Sequence, residues 1–391
     1  MRSAEVLWLT SSLTAISALL LDVTLPAFGA MALDFRIDVR AIAAIVGHVV
    51  LTLSGLQLIV GPMSDRFGRK RVLLGSLTLA SIGAVGSACA TTYEIHFAFR
   101  IVQGAGCAGF ALCQAILQDV FPGETGWRAR IFTLTFAGVC VALAPLVGVA
   151  LAQTAGWRAI FWSFAGLGAV TAFVTALRFP ASTPQTHSGL AQYVRLYAQM
   201  LRHRQFMIYA SQAAMAFVCH FSFIMLSPAI FIDDLGYSAS AYGQMLAIYG
   251  LTYVAAGFAA GRMARVRDAR DQIRTGFMLL AMAGGLMAFL GVLIGMHVVT
   301  VLIPMLIVTF GASAVRPAST TLAMARFETH AGTAAAMIGA IRFTMAGALT
   351  LFITAVDQPR LVVLASLLIT CSLTALLCAP RESCRSRARQ S

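Results

Sequence analysis

Apolar residues in this chain run in long blocks separated by short charged or turn-rich pieces. The blocks fall near residues 5–29, 41–63, 71–92, 95–118, 130–153, 157–179, 206–231, 239–261, 274–295, 298–322, 332–355 and 358–379. A spanning helix needs about 20 predominantly apolar residues, so the pattern predicts an all-α membrane protein with twelve transmembrane helices. Residues 180–205 form the longest polar segment and divide the spans six and six. The predicted organisation is a six-helix bundle over 1–180, a cytoplasmic linker over 181–205, a second six-helix bundle over 206–380 and a basic tail over 381–391. Repetition supports two halves, because Gly61 to Arg69, after the second span, is echoed by Gly257 to Arg265 after the eighth.

Composition agrees. Of 391 residues 59% are hydrophobic and 11% charged, against about a quarter charged in soluble domains. The formal net charge of +13 does not imply a nucleic-acid partner, because membrane topology accounts for the basic residues. With the N-terminus inside, 21 of the 28 Lys and Arg fall on the cytoplasmic side; Arg36, Arg40, Arg158 and Arg360 fall outside and three lie within spans. The eight cysteines contain no C-x-x-C and predict neither a disulfide framework nor a metal site. Arg2 and the apolar run after it imitate a signal peptide, but Asp22 interrupts the run and many spans follow, so an uncleaved first span is expected.

Asp22 is the only acid placed well inside a span, where burial favours the neutral form and suits a carboxyl to take a proton on one side and release it on the other. Ser11, Thr14, Ala18 and Asp22 share one helical face and give the first span a small, polar stripe. The alternative is a structural acid that caps the break at Pro26 or pairs permanently with an arginine. Arg100, Gln103, Cys107, Gln114 and Gln118 share a face of the fourth span, which must look to the interior because a polar stripe toward lipid is too costly. Arg100 is a candidate to bind substrate, to tune Asp22 or to brace helices. Gly104-x-Gly106-x2-Gly109 imitates a dinucleotide fingerprint, yet no strand precedes it, so close helix packing explains the glycines better.

The loop after the second span, Gly61-x3-Asp65-Arg66-x-Gly68-Arg69-Lys70-Arg71, resembles the cytoplasmic signature of the major facilitator superfamily. Arg100-x2-Gln103-Gly104-x-Gly106 resembles its fourth-span motif. Pro145, Gly148 and Gly156-Trp157-Arg158 are similar to its antiporter motif, although the core is reduced to Ala144-Pro145-Leu146-Val147-Gly148-Val149. Asp22-x2-Leu25-Pro26, Ser227-Pro228, Gly236-x-Ser238, Tyr242-Gly243 and Ala331-Gly332-Thr333-Ala334 leading into Gly339 resemble the bicyclomycin- and chloramphenicol-resistance branch of the drug:proton antiporters. The resemblance implies alternating access between two bundles and a latch in which Arg69 reaches carboxylates such as Asp119, with Gly61 permitting close packing and Gly68 turning the chain. It also implies a bacterial inner-membrane location with both termini cytoplasmic, and a monomer.

Arg316, before Pro317 in the tenth span, and Arg342, in the eleventh, have no acid in their own helices. Either could meet the substrate path, and Arg316 could instead hold carbonyls freed by Pro317. Phe217, Phe221 and His220 in the seventh span, with Tyr249 and Tyr253 in the eighth, could line an adaptable cavity, though packing or lipid contact is the commoner fate of such residues. Three arginines inside spans against one acid leave the interior positive, which favours neutral, zwitterionic or anionic substrates. The expected function is proton-driven export of small amphipathic or antibiotic-like compounds, with a metabolite or organic-anion carrier as the alternative and a non-transporting receptor behind both. No enzyme is expected, since no nucleophile, base and orienting acid converge and there is no P-loop. The expected partners are a small molecule, protons and lipid, with the proton gradient supplying energy and no cofactor.

Overall fold

The computed structural model describes residues 3–113, 116–117, 123–179, 190–325, 327, 330–356 and 358–378. Among them there is no strand. The helices are α1 Ser3–Leu21, α2 Phe28–Phe35, α3 Val39–Phe67, α4 Arg69–Cys89, α5 Tyr93–Cys107, α6 Gly123–Ala155 and α7 Arg158–Arg178. After the linker helix α8 Leu190–Arg202 come α9 Arg204–Pro228, α10 Ala239–Val266, α11 Ala269–Ile294, α12 Val298–Met324, α13 Ala331–Ala355 and α14 Arg360–Leu377. Ten helical segments are long and apolar enough to cross a membrane among the described residues. The 33-residue α6, and α5 with the 3-10 turn Ala108–Ala111 that continues it, occupy the two remaining blocks. This is a multi-pass membrane protein. Phe173, Leu251, Phe258, Phe289 and Val292 present most of their surface outward, as side chains facing hydrocarbon can.

Helices overrun the apolar blocks. α3 carries Asp65 and Arg66 in its last turn, and the connection to α4 is Gly68 alone, at φ 90°. Only a residue tolerant of positive φ joins two helices so abruptly. Within the polar linker, Leu190–Arg202 form α8, a helix with one polar and one apolar face. It defines a linker side of the molecule; the opposite surface is called here the far side.

Within the first seven helices, α4 packs on α5 and α7, and α6 packs on α1. In the second set α12 packs on α9, α10 and α11, while α14 packs on α11 and α9. Glycines set the closest crossings. A Cβ on Gly106 would stand 2.2 Å from the Ala80 nitrogen, and one on Gly83 2.4 Å from the Gln103 nitrogen. The second set repeats the device between α11 and α12, where Cβ atoms on Gly276 or Gly311 would each lie 2.7 Å from the other's carbonyl oxygen. Helices in lipid gain by such close backbone approach because no hydrophobic effect drives them together.

The two sets meet along α3–α13 and α6–α10. On the far half of the first contact Gly47 faces Gly347 and Leu351. Nearer mid-depth Ser54 donates to the Ala340 carbonyl at 2.7 Å and shares a 2.7 Å hydrogen bond with Thr344. Gly243 of α10 approaches Leu146 and Val149 of α6, also toward the far side. The sets are thus closed together on the far side in this conformation.

Candidate functional site

Asp22 lies where α1 stops being an α-helix. Residues Asp22–Ala27 wind as a 3-10 turn around Pro26 before α2 resumes. Pro26 cannot donate to the preceding turn, and tighter winding frees carbonyls that must find partners elsewhere. Arg100 supplies one, donating from Nη2 to the Leu20 carbonyl at 3.0 Å while Nη1 donates to Gln103 Oε1 at 2.6 Å. Its guanidinium also lies 5.3 Å from the centre of the Phe161 ring. Arg100 and Gln103 are 2% and 1% exposed, so in this conformation they hold the end of α1 and each other and do not line open space. On the other flank Gly148 of α6 lies against the Val23 carbonyl, where a Cβ would come within 2.2 Å. Pro145, one turn earlier, is buried in the same helix.

Asp22 itself makes no ion pair among the described residues. It is half-buried, and α9 touches its turn from the second set. The Tyr242 hydroxyl of α10 lies within electrostatic range of the Asp22 carboxyl, and it shares a 2.8 Å hydrogen bond with Ser227 of α9. The acid therefore stands at the junction between the two sets, beside the far-side closure.

A second constellation forms entirely within α9, α10, α12 and α13. The Arg316 and Arg342 guanidinium carbons lie 5.2 and 5.1 Å from the centre of the Phe217 ring. Arg316 also donates to the Tyr253 hydroxyl at 2.8 Å. His220 shares a 2.6 Å hydrogen bond with the Tyr249 hydroxyl and lies against both tyrosine rings, at 5.4 and 5.2 Å. Phe217 stacks on Phe221 at 5.4 Å. Phe343, which the sequence reading did not single out, packs edge-on to Phe217 at 5.7 Å and under Arg342 at 4.6 Å. Its position beside Arg342 was the available signal. Seven residues read separately from four spans thus converge near the middle of their helices, whereas Arg100, Gln103 and Asp22 stand apart from them in the first set.

On the linker side Asp65 pairs with Arg69 one turn on, at 2.9 Å, and accepts from the Tyr193 hydroxyl of α8 at 2.7 Å. Arg69 also donates to Ser64 at 2.5 Å. Tyr197, one turn along α8, donates to the Leu58 carbonyl at 3.0 Å. Burial, with Tyr193 and Asp65 nearby, pushes its phenol up to about 12. Arg66 is exposed over the ring of Phe67. The expectation that Gly61 allows close packing is corrected for this conformation, because a Cβ there would meet no described atom within 4 Å. Asp119, expected to receive Arg69, lies outside the described residues, as do Gln114, Gln118, residues 181–189, the tail 381–391 and the side chains of Thr14 and Ala18. No group of three or more His, Cys, Asp or Glu able to hold a metal ion occurs among the described residues.

The sequence model of the Major Facilitator Superfamily matches residues 10–351. The chain belongs to this superfamily. Relatives within it include an uncharacterised MFS-type transporter, YdgK, of Bacillus subtilis, 25% identical over 85% of this chain and 84% of that one. A chloramphenicol resistance protein of Pseudomonas aeruginosa is 26% identical over 88% and 82%. Multidrug resistance protein D of Escherichia coli is 25% identical over 89% and 88%. The fold is shared with a D-xylose-proton symporter at a TM-score of 0.78, 14% identity and coverage of 97% and 98%. It is shared as well with the xylose transporter XylE of Escherichia coli at 0.69, again 14% identical, over 96% and 98%. This superfamily member is a transporter rather than an enzyme.

Proposed function

We propose that this transporter exports small amphipathic or antibiotic-like compounds in exchange for protons, by alternating access between bundles covering 1–180 and 206–380. The observation that carries the reading is Asp22, an acid without an ion-pair partner among the described residues, set in a non-α turn of α1 at the junction of the two helix sets. A proton carrier needs an acid that is costly to leave charged and that conformational change can expose to either side in turn. A hinge in the backbone beside it meets the second need. Arg100, bonded to the Leu20 carbonyl, positions that hinge. Relatives named for chloramphenicol and multidrug resistance supply the substrate class. In this reading the linker side is cytoplasmic, both termini lie there, the membrane is a bacterial inner membrane and the transporter works as a monomer. The gate comprises Asp65, Arg66, Gly68, Arg69 and Asp119 on that side, while Gly148, with Pro145 one turn before it, shapes α6 against the Asp22 turn toward the far side.

A panel of drug-susceptibility tests in an efflux-deficient bacterium producing the protein tests the export reading. Raised resistance to at least one amphipathic drug, lost in Asp22→Asn at equal membrane abundance, is the expected result. Unchanged susceptibility across the panel would favour the organic-anion or metabolite carrier, to which the arginines around Phe217 also point.

A further inference from the structure

We infer that Arg316, Arg342 and Phe217 form the binding site for the carboxylate of an aromatic acid. The inference rests on the proposed reading of the chain as a small-molecule transporter and narrows its substrate class. Both guanidinium groups lie about one ring, at 5.2 and 5.1 Å from its centre. Neither arginine makes an ion pair among the described residues. Two cations about one ring within a bilayer raise each other's cost of insertion, and helix bracing accounts for only part of them. Arg316 donates to Tyr253, while the Arg342 Nε is buried with no hydrogen-bond partner. The Pro317 alternative is not realised either, because the side-chain hydrogen bond of Arg316 goes to another helix.

The rest of the site supplies aromatic surface beside the two arginines. Arg316, Arg342, Phe217, Tyr253 and Phe343 all keep partial exposure. They do so around α9, the most enclosed of the spanning segments, which packs on α12, α13 and α14 and touches the Asp22 turn. The space they border is therefore interior rather than lipid. Phe217 and Phe343 offer ring faces and edges for stacking, with the buried Phe221 stacked behind Phe217. A carboxylate entering between the arginines would accept charge-assisted hydrogen bonds and offset both charges, and the planar guanidinium fork suits that geometry better than an ammonium would. His220 and Tyr249 are bonded to each other, leaving the arginines as the strong donors available.

Binding of 2-naphthoate, 2-naphthamide and 2-naphthylmethylammonium to purified protein in lipid nanodiscs, measured calorimetrically without any gradient, tests the site. The expected order places naphthoate at least tenfold tighter than the amide and the ammonium weakest. Arg342→Gln should weaken naphthoate at least tenfold and leave the amide unchanged, with Arg342→Lys falling between. Equal affinities for the three probes, no naphthoate binding, or naphthoate affinity unaffected in Arg342→Gln would overturn the inference. The comparison of probes on the unaltered protein needs no variant to fold. Asp22→Asn should retain the naphthoate preference, so proton coupling and the anion site fail separately.

Discussion

The contact between α3 and α13 gives the most direct handle on alternating access. In Gly347→Ala the new Cβ would lie 2.7 Å from Leu51 Cγ and 2.9 Å from the Gly47 carbonyl oxygen. The leucine is held at its branch point and the oxygen belongs to the backbone of α3, so the two helices must separate. Overpacking of this kind costs about 1–3 kcal/mol. The gain in helix propensity on replacing Gly by Ala, about 1 kcal/mol, applies whether the far side is open or closed and so cancels in the ratio of the two states. At about 1.4 kcal/mol per tenfold, the population should move roughly 5- to 150-fold toward the far-side-open form. Pulsed EPR distances between spin labels at the far ends of α3 and α13 report the shift. Gly55→Ala on α3 and Gly332→Ala on α13 are the controls, because a Cβ at either meets no described atom within 4 Å. An unchanged distance distribution in Gly347→Ala, or an equal shift in the controls, would refute the reasoning.

Two further outcomes follow from other contacts. Gly106→Ala would force a Cβ within 2.2 Å of the Ala80 backbone and should cut the yield of folded, membrane-inserted protein severely, whereas Gly75→Ala, with nothing described within 4 Å, should not; fluorescence-detected size exclusion distinguishes them. Tyr197, with its phenol pushed up to about 12 against an ordinary value near 10, holds more protons folded than unfolded between those values. The linker helix should therefore lose stability as pH rises from about 10 to about 12, seen as faster proteolysis of the linker, and Tyr197→Phe should remove that pH dependence.

Much of the fold was legible because lipid makes secondary structure a matter of run length. The same rule hid the helix ends. Asp65 and Arg66 follow the apolar block 41–63 in the sequence, yet α3 continues through them to Phe67, a full turn past the block. The residues around Phe217 were legible one at a time, since arginine within a span is costly wherever it sits. Their convergence was not, because it depends on the crossings of α9, α10, α12 and α13. Arg100 shows the converse. Its burial was correctly read, but its partner is the Leu20 carbonyl, which lies where α1 gives way to 3-10 winding at Asp22. Tyr193 and Tyr197 were unread as partners of α3, since a polar linker gives no sign in sequence of which helix its apolar face covers.

The central claim is that Asp22 carries the coupled proton, and transport into inside-out vesicles under an imposed pH gradient, with Asp22→Asn beside the unaltered protein at equal abundance, tests it most directly. The account predicts uphill accumulation of a drug from the susceptibility panel by the unaltered protein, accompanied by proton movement in the opposite direction. In Asp22→Asn it predicts only gradient-independent equilibration, because the amide keeps the shape of the side chain and cannot exchange a proton. Continued uphill accumulation in the Asn variant would contradict it.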